Sequence, residues 1–495
     1  MVFSSISFIF YFLPLFFVVY YLADKRFKNI VILAGSILFY SLGTETVLPT
    51  GQRGIMGFIN SLCIPSRFIF VIIFTTIVDF YVVRYMSSIT RQSVRRAVLC
   101  ISLAINLGLL FYFKYSNFFV DNVNTVFQHM GVKTLSWTKL VLPIGISFYT
   151  FETLTYVVDV YLGVHKPLKN FWDYQLYIIL FPKLIAGPII RYHDFAGQIY
   201  DHTEYETQEN KLRGLYRFFL GLGKKVMIAN VIGASADAIF NLPHDQLGTI
   251  TAWMGALSYT FQIYFDFSGY SDMAIGLGQM MGFRFPENFN NPYTSVSITD
   301  FWRRWHITLG TWMRNYLYIP LGGNRVNSKW RLYFNLWLVF LASGLWHGAA
   351  WGFIIWGAYH GFFLIIERVF LGKWLARVGR AAVFYTFPVV IVGWVFFRVE
   401  YFHASLGYLH RMFMWYKDTG AWHMDREYLS MLVLAVFFSF FTLSAWGRRV
   451  QRRIFFTDYS MKLHIAMATA TLLLLVICAG RITVSTFNPF IYFRF

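Results

Sequence analysis

Ser343-Gly344-Leu345-Trp346-His347-Gly348-Ala349-Ala350-Trp351-Gly352-Phe353 sits inside an apolar stretch that runs from about Leu332 to Ile366. An imidazole surrounded by hydrocarbon must find hydrogen-bond partners or lose several kcal/mol, so an intramembrane histidine is a functional-site hypothesis by default. Gly344, Gly348 and Gly352 flank His347 at four-residue spacing and form a small face on which helices approach closely. Two readings follow. One is a packing seam with a bonded histidine; the other is a narrow tunnel, opened by small residues, that ends at an imidazole able to accept a proton.

The whole chain favours a membrane setting. Of its 495 residues 57% are hydrophobic and only 14% are charged, which excludes an ordinary soluble domain. The +19 formal charge falls in short clusters between apolar runs, such as Lys25 to Lys28, Arg91 to Arg96 and Arg448 to Arg453. Such clusters orient helices and meet anionic headgroups, so membrane lipids are expected partners and nucleic acid is not. Cys63, Cys100 and Cys478 are scattered, with no spacing that indicates a disulfide framework or a metal site.

Runs of about 20 apolar residues predict an all-α, polytopic protein of about 11–13 membrane elements. Several are short or broken by glycine and proline, notably Phe181 to Pro188 and the whole 264–330 region. Irregular backbone at membrane depth survives only where protein buries it or where it lines a cavity, so re-entrant elements around a cavity are expected. Basic residues follow the first and third spans, which predicts an outward N-terminus. Asp201 to Arg213 reads as a short interfacial helix. One domain is expected, with N-terminal helices at 1–138, a core at 139–367 and C-terminal helices at 368–495.

Polar residues concentrate in that core. Asp266 and Asp272, in Asp266-Phe267-Ser268-Gly269-Tyr270-Ser271-Asp272, either orient a partner or cap a helix break at Gly269. Trp302, Trp305, Leu309 and Trp312 recur at i, i+3, i+7 and i+10, predicting one amphipathic helix at the membrane interface with Asp300 as its cap. His306 lies on it, and Arg303 and Arg304 are directed elsewhere. Gly322-Gly323-Asn324 reads as a turn, and His360 is a secondary candidate.

Trp302-Arg303-Arg304-Trp305-His306, about forty residues before Gly344-Leu345-Trp346-His347-Gly348, resembles the membrane-bound O-acyltransferase family. The match is to the bacterial branch of alginate O-acetyltransferase membrane subunits. Leu142 to Phe151, Phe181 to Pro188, Asp266 to Asp272 and Phe490-Ile491-Tyr492-Phe493 extend the likeness from end to end. The segment Gly43 to Arg67 departs from it.

The resemblance implies a ring of tilted helices around a central funnel, with His347 and His306 as the functional histidines. It implies an acyl thioester donor, acetyl-coenzyme A or another, arriving from the cytoplasm, and no permanently bound cofactor or metal. Trp346 or a backbone N–H is a candidate oxyanion donor, and Arg303, Arg304 and Lys183 are candidates to meet anionic parts of the donor. The implied setting is the bacterial inner membrane, beside a periplasmic esterase-like acetyltransferase in a polysaccharide biosynthesis complex that modifies alginate, cellulose or peptidoglycan. Two alternatives remain from the residues themselves: a proton-coupled transporter using Asp159, Asp266, Asp272 and His347, and a non-catalytic scaffold.

Overall fold

The computed structural model of the chain describes residues 2–43, 68–485 and 487–491. The departing loop Thr44 to Arg67, Cys63, Tyr492 and Phe493 lie outside the described residues. Helix accounts for the architecture; among the described residues the one extended pairing is an isolated bridge between Phe289 and Trp305. Among the described residues, six helical stretches are long and apolar enough to cross a membrane: Phe68–Ser88, Gln92–His129, Gln208–Phe240, Trp351–Arg398, Arg426–Leu443 and Met461–Val484. Helices suit that setting because they satisfy every backbone N–H and C=O internally. The protein is therefore an all-α, multi-pass membrane protein. On Met461–Val484 only Met467, Thr471 and Cys478 are buried, so its leucine-rich remainder is left for lipid.

The chain forms two compact units, Met1–Leu215 with Ala274–Phe285, and Tyr216–Met273 with Pro286–Phe495. In the first, Asp79 on Phe68–Ser88 accepts hydrogen bonds from Ser102 (3.1 Å) and Asn106 (2.8 Å) on Gln92–His129. Such polar links join helices that lipid gives no hydrophobic reason to associate. In the second unit, aromatic and branched side chains from Thr249–Met280, Trp351–Ile366 and Val383–Arg398 form the core.

Three expectations about local structure are corrected. Asp201 to Arg213 is not a separate interfacial helix: a single 3-10 turn, Thr203–Tyr205, precedes Gln208–Gly223, which continues through a π-helical turn into Asn230–Phe240. Nor does Gly269 break a helix, since Thr249–Met280 is continuous. Gly269 instead faces Gly221, where a Cβ on either would stand 2.5–2.7 Å from the other's carbonyl oxygen. Glycine was read as a breaker there, and it serves close helix packing. Third, the tryptophan stripe is not one helix. Ile298–Arg304 ends, His306 takes a left-handed conformation, and Ile307–Met313 begins. Its cap is Ser297, which accepts from Asp300 N–H at 2.9 Å, and Trp305 and Trp312 are buried within protein.

The opening stretch resolves into a helical hairpin. Lys329–His347 ends on His347, three extended or bent residues follow, and Trp351–Ile366 returns. Gly344 and Gly357 carry the crossing, because a Cβ on Gly357 would meet the Phe340 carbonyl and one on Gly344 the Phe353 carbonyl. The four-residue glycine spacing is thus a packing seam. Gly357→Val should lower stability by about 1–3 kcal/mol through overpacking, read as a lower thermal midpoint in detergent. Gly480→Ala, where a Cβ meets nothing within 4 Å, should leave that midpoint unchanged or raised.

Candidate active site

His306 is held by its neighbours in a conformation that non-glycine residues seldom adopt, φ 45° and ψ 54°. The Asn288 backbone carbonyl accepts from Ile307 N–H at 3.0 Å, and Asn290 N–H donates to the Arg304 carbonyl at 2.9 Å. The Asn288 side-chain oxygen accepts from Thr308 N–H (3.3 Å) and Thr308 Oγ1 (3.0 Å), which fixes which end of the amide is oxygen. That same oxygen lies 3.1 Å from His306 Nδ1. Nδ1 must then carry the hydrogen, and Nε2 carries the lone pair. His306 lies in none of the six spanning stretches, and burial pushes its pKa down to about 3, holding the ring neutral.

His347 is 6% exposed and sits at the C-terminal end of Lys329–His347. Its ring is 6.5 Å from that of His306, centroid to centroid. Trp346 (4.9 Å), Trp356 (5.1 Å) and Phe397 (5.2 Å) meet it edge to face. A cavity of about 10 Å³ lies against it, lined among others by Phe267, Trp305, Trp356, Phe397 and Ile491. That is room for about one water molecule. The structure thus brings His347, His306 and Trp346 together.

Other candidates stand elsewhere. Asp266 pairs with Lys225 at 2.7 Å and accepts from Ile491 N–H at 2.8 Å, while Lys225 also donates to the Pro489 carbonyl. Phe490 stacks on Tyr270 at 4.6 Å. Asp266 therefore anchors the C-terminal tail, and through Ile491 it helps build the cavity wall. Asp272 is bound by Lys224 (2.6 Å) and Arg217 (2.9 Å), and Arg217 also pairs with Glu287 (2.5 Å). Arg304 pairs with Asp300 at 2.9 Å, and Arg303 is exposed. Lys183 belongs to the first unit, fully buried against Glu152 with its ammonium 4.7 Å from the Tyr177 ring centre. His360 is buried edge-on to Trp302 (5.0 Å) and Trp356 (5.4 Å).

Sequence reasoning missed Asn288, Lys225, Trp356 and Ile491. The run Asn288-Phe289-Asn290-Asn291 was a usable signal, since asparagine both tolerates left-handed backbone and bonds its neighbours. Asn291 is itself left-handed, at φ 48°.

With this geometry in hand the comparisons are direct. The profile of MBOAT, the membrane-bound O-acyltransferase family, matches residues 165–377, which include both histidines. The probable alginate O-acetylase AlgI of Pseudomonas putida is 38% identical over 514 aligned positions that cover 100% of both chains. The chain belongs to the membrane-bound O-acyltransferase family. The chain is also similar to the peptidoglycan O-acetyltransferase of Helicobacter pylori, 35% identical across 83% of this chain and 80% of that one. A teichoic acid D-alanyltransferase of Bacillus subtilis is 31% identical across 54% of this chain and 71% of its own length. This membrane-bound O-acyltransferase is accordingly an enzyme of acyl transfer to oxygen.

The buried Lys183–Glu152 pair separates a structural role from donor binding. Lys183→Met alone should cost about 3–5 kcal/mol by stranding a buried carboxylate, seen as loss of monodisperse protein. Adding Glu152→Gln should restore folding and, if Lys183 never meets the donor, transfer activity as well.

Proposed function

We propose that the enzyme carries acetyl groups from a cytoplasmic thioester, such as acetyl-coenzyme A, across the bacterial inner membrane for O-acetylation of an exported or cell-wall polysaccharide. Relatives named as a probable alginate O-acetylase and a peptidoglycan O-acetyltransferase support this reading, in which a periplasmic partner completes transfer to the sugar. The observation that carries the reading is the pair of buried imidazoles 6.5 Å apart, one of which, His347, lines a cavity that admits about one water.

The chemistry follows from that pairing. A hydroxyl attacks the thioester carbonyl while a neutral imidazole, His347, takes its proton; the carbon–sulfur bond then breaks and the thiolate leaves, taking a proton. His306, with its lone pair on Nε2, orients the acceptor or the protonated intermediate. A dry site protects the donor from hydrolysis. The developing oxyanion needs a hydrogen-bond donor, and Trp356 supports that role better than Trp346. Its indole N–H is buried at the cavity without a hydrogen-bond partner among the described residues, and a buried unpaired donor costs free energy unless it is used.

The ion-path alternative has fewer carriers than its sequence promised, because Asp266 and Asp272 are paired with cations and Asp159 with His193 at 2.8 Å. Arg303 is the exposed cation for a donor phosphate, whereas Lys183 is committed to Glu152.

Replacing the base should reduce donor-dependent acetyl transfer by about 10²- to 10⁴-fold in His347→Ala, with folding retained. Wild-type turnover in that variant would remove His347 from the mechanism. Trp356→Phe keeps an aromatic ring and deletes the N–H, so kcat should fall by about 10²-fold with KM little changed. An unaltered kcat would assign the oxyanion contact elsewhere.

A further inference from the structure

Ala445–Phe455 joins two spanning stretches, one ending at Leu443 and the other starting at Met461, so chain connectivity puts it at a membrane surface. It carries Arg448, Arg449, Arg452 and Arg453 and no acidic residue. All four arginines are exposed, as is Trp446. Arg448 is partly spent, donating at 2.9 Å to the carbonyls of Thr442 and Leu443. Arg449, Arg452 and Arg453 make no ion pair among the described residues. A basic amphipathic helix with an interfacial tryptophan and unneutralised arginines fits anionic lipid headgroups.

The protein-facing side of this helix has a specific attachment. Gln451 Oε1 accepts from Asn291 Nδ2 at 2.9 Å. Asn291 is left-handed, and it closes the short segment whose other end, Asn288, sets the His306 ring. Between them Asn290 N–H bonds the Arg304 carbonyl, and Phe289 bridges Trp305. One four-residue strip therefore has the His306 imidazole at one end and the lipid-facing helix at the other.

We propose that anionic phospholipid bound by Arg449, Arg452 and Arg453 seats this helix and, through Gln451 and Asn291, fixes the Asn288–His306 contact, so that headgroup charge sets the transfer rate. The proposal rests on the transferase reading above and adds the ligand that regulates it. The strip gives a continuous bonded path from the helix to the His306 ring.

The full chain is reconstituted in nanodiscs of phosphatidylcholine alone or mixed equally with phosphatidylglycerol. Transfer should be about five-fold or more faster with phosphatidylglycerol, and hydrogen exchange at residues 288–307 should slow. Converting the three arginines to glutamine should abolish both responses and reduce phosphatidylglycerol retained in native mass spectra; converting them to lysine should keep much of each. Gln451→Ala should retain the lipid and lose the rate response. Equal rates and equal exchange in both lipids for the wild type would overturn the proposal, as would an undiminished response in the glutamine variant. If no lipid supports transfer, the transferase reading fails, and the exchange and lipid-retention measurements still decide whether the helix couples to the His306 strip.

Discussion

The contact between the Asn288 amide oxygen and the His306 ring is what the rest of the site depends on. A left-handed histidine is unfavourable for an L-residue by about 1–2 kcal/mol, and the surrounding bonds over-determine it. Ile307, Thr308 and His306 all donate to Asn288, through its backbone or its side chain. The consequence is twofold. The break at His306 turns the ring off the line of Ile298–Arg304, and the shared oxygen selects the tautomer with its lone pair on Nε2. Backbone strain of this kind is tolerated where it sets up chemistry.

Packing density does the complementary work. Gly344, Gly357, Gly221 and Gly269 permit backbone contact between helices where any side chain would collide. The helices close, and the space left beside His347 shrinks to about 10 Å³ among aromatic rings. In so small and apolar a place a fixed N–H counts for more than it would in water. Glycine here brings the two helices of the hairpin into backbone contact.

The sequence made some of this legible and hid the rest for physical reasons. Apolar run length identifies a multi-pass helical protein, because the bilayer imposes that length on any helix crossing it. The two histidine motifs were visible because a polar ring in an apolar run is costly and therefore conspicuous. What could not be read was long-range pairing. Asp266 and Asp272 look alike on one helix six residues apart, yet one holds the C-terminal tail through Lys225 and Ile491 and the other holds Arg217 and Lys224. Periodicity failed at Trp302 to Trp312 because it registers which residues are apolar and says nothing of a single left-handed residue between two short helices. Gly269 misled for the opposite reason, since a glycine that eases a crossing and one that breaks a helix read identically until the facing residue, Gly221, is known.

The buried charges have a common logic that distinguishes framework from chemistry. Lys183 with Glu152, Lys225 with Asp266, and Arg217 between Asp272 and Glu287 are each neutralised inside the protein. A pair of this kind adds little net stability, but removing one member strands the other, so such pairs fix which segments meet. Within the second unit they hold the tail and the crossing helices together. The histidine pair differs in kind. His306 shares the Asn288 amide oxygen, and its ring and that of His347 meet aromatic rings and each other. The fixed charges thus belong to the framework, and the His347 ring lies at the cavity.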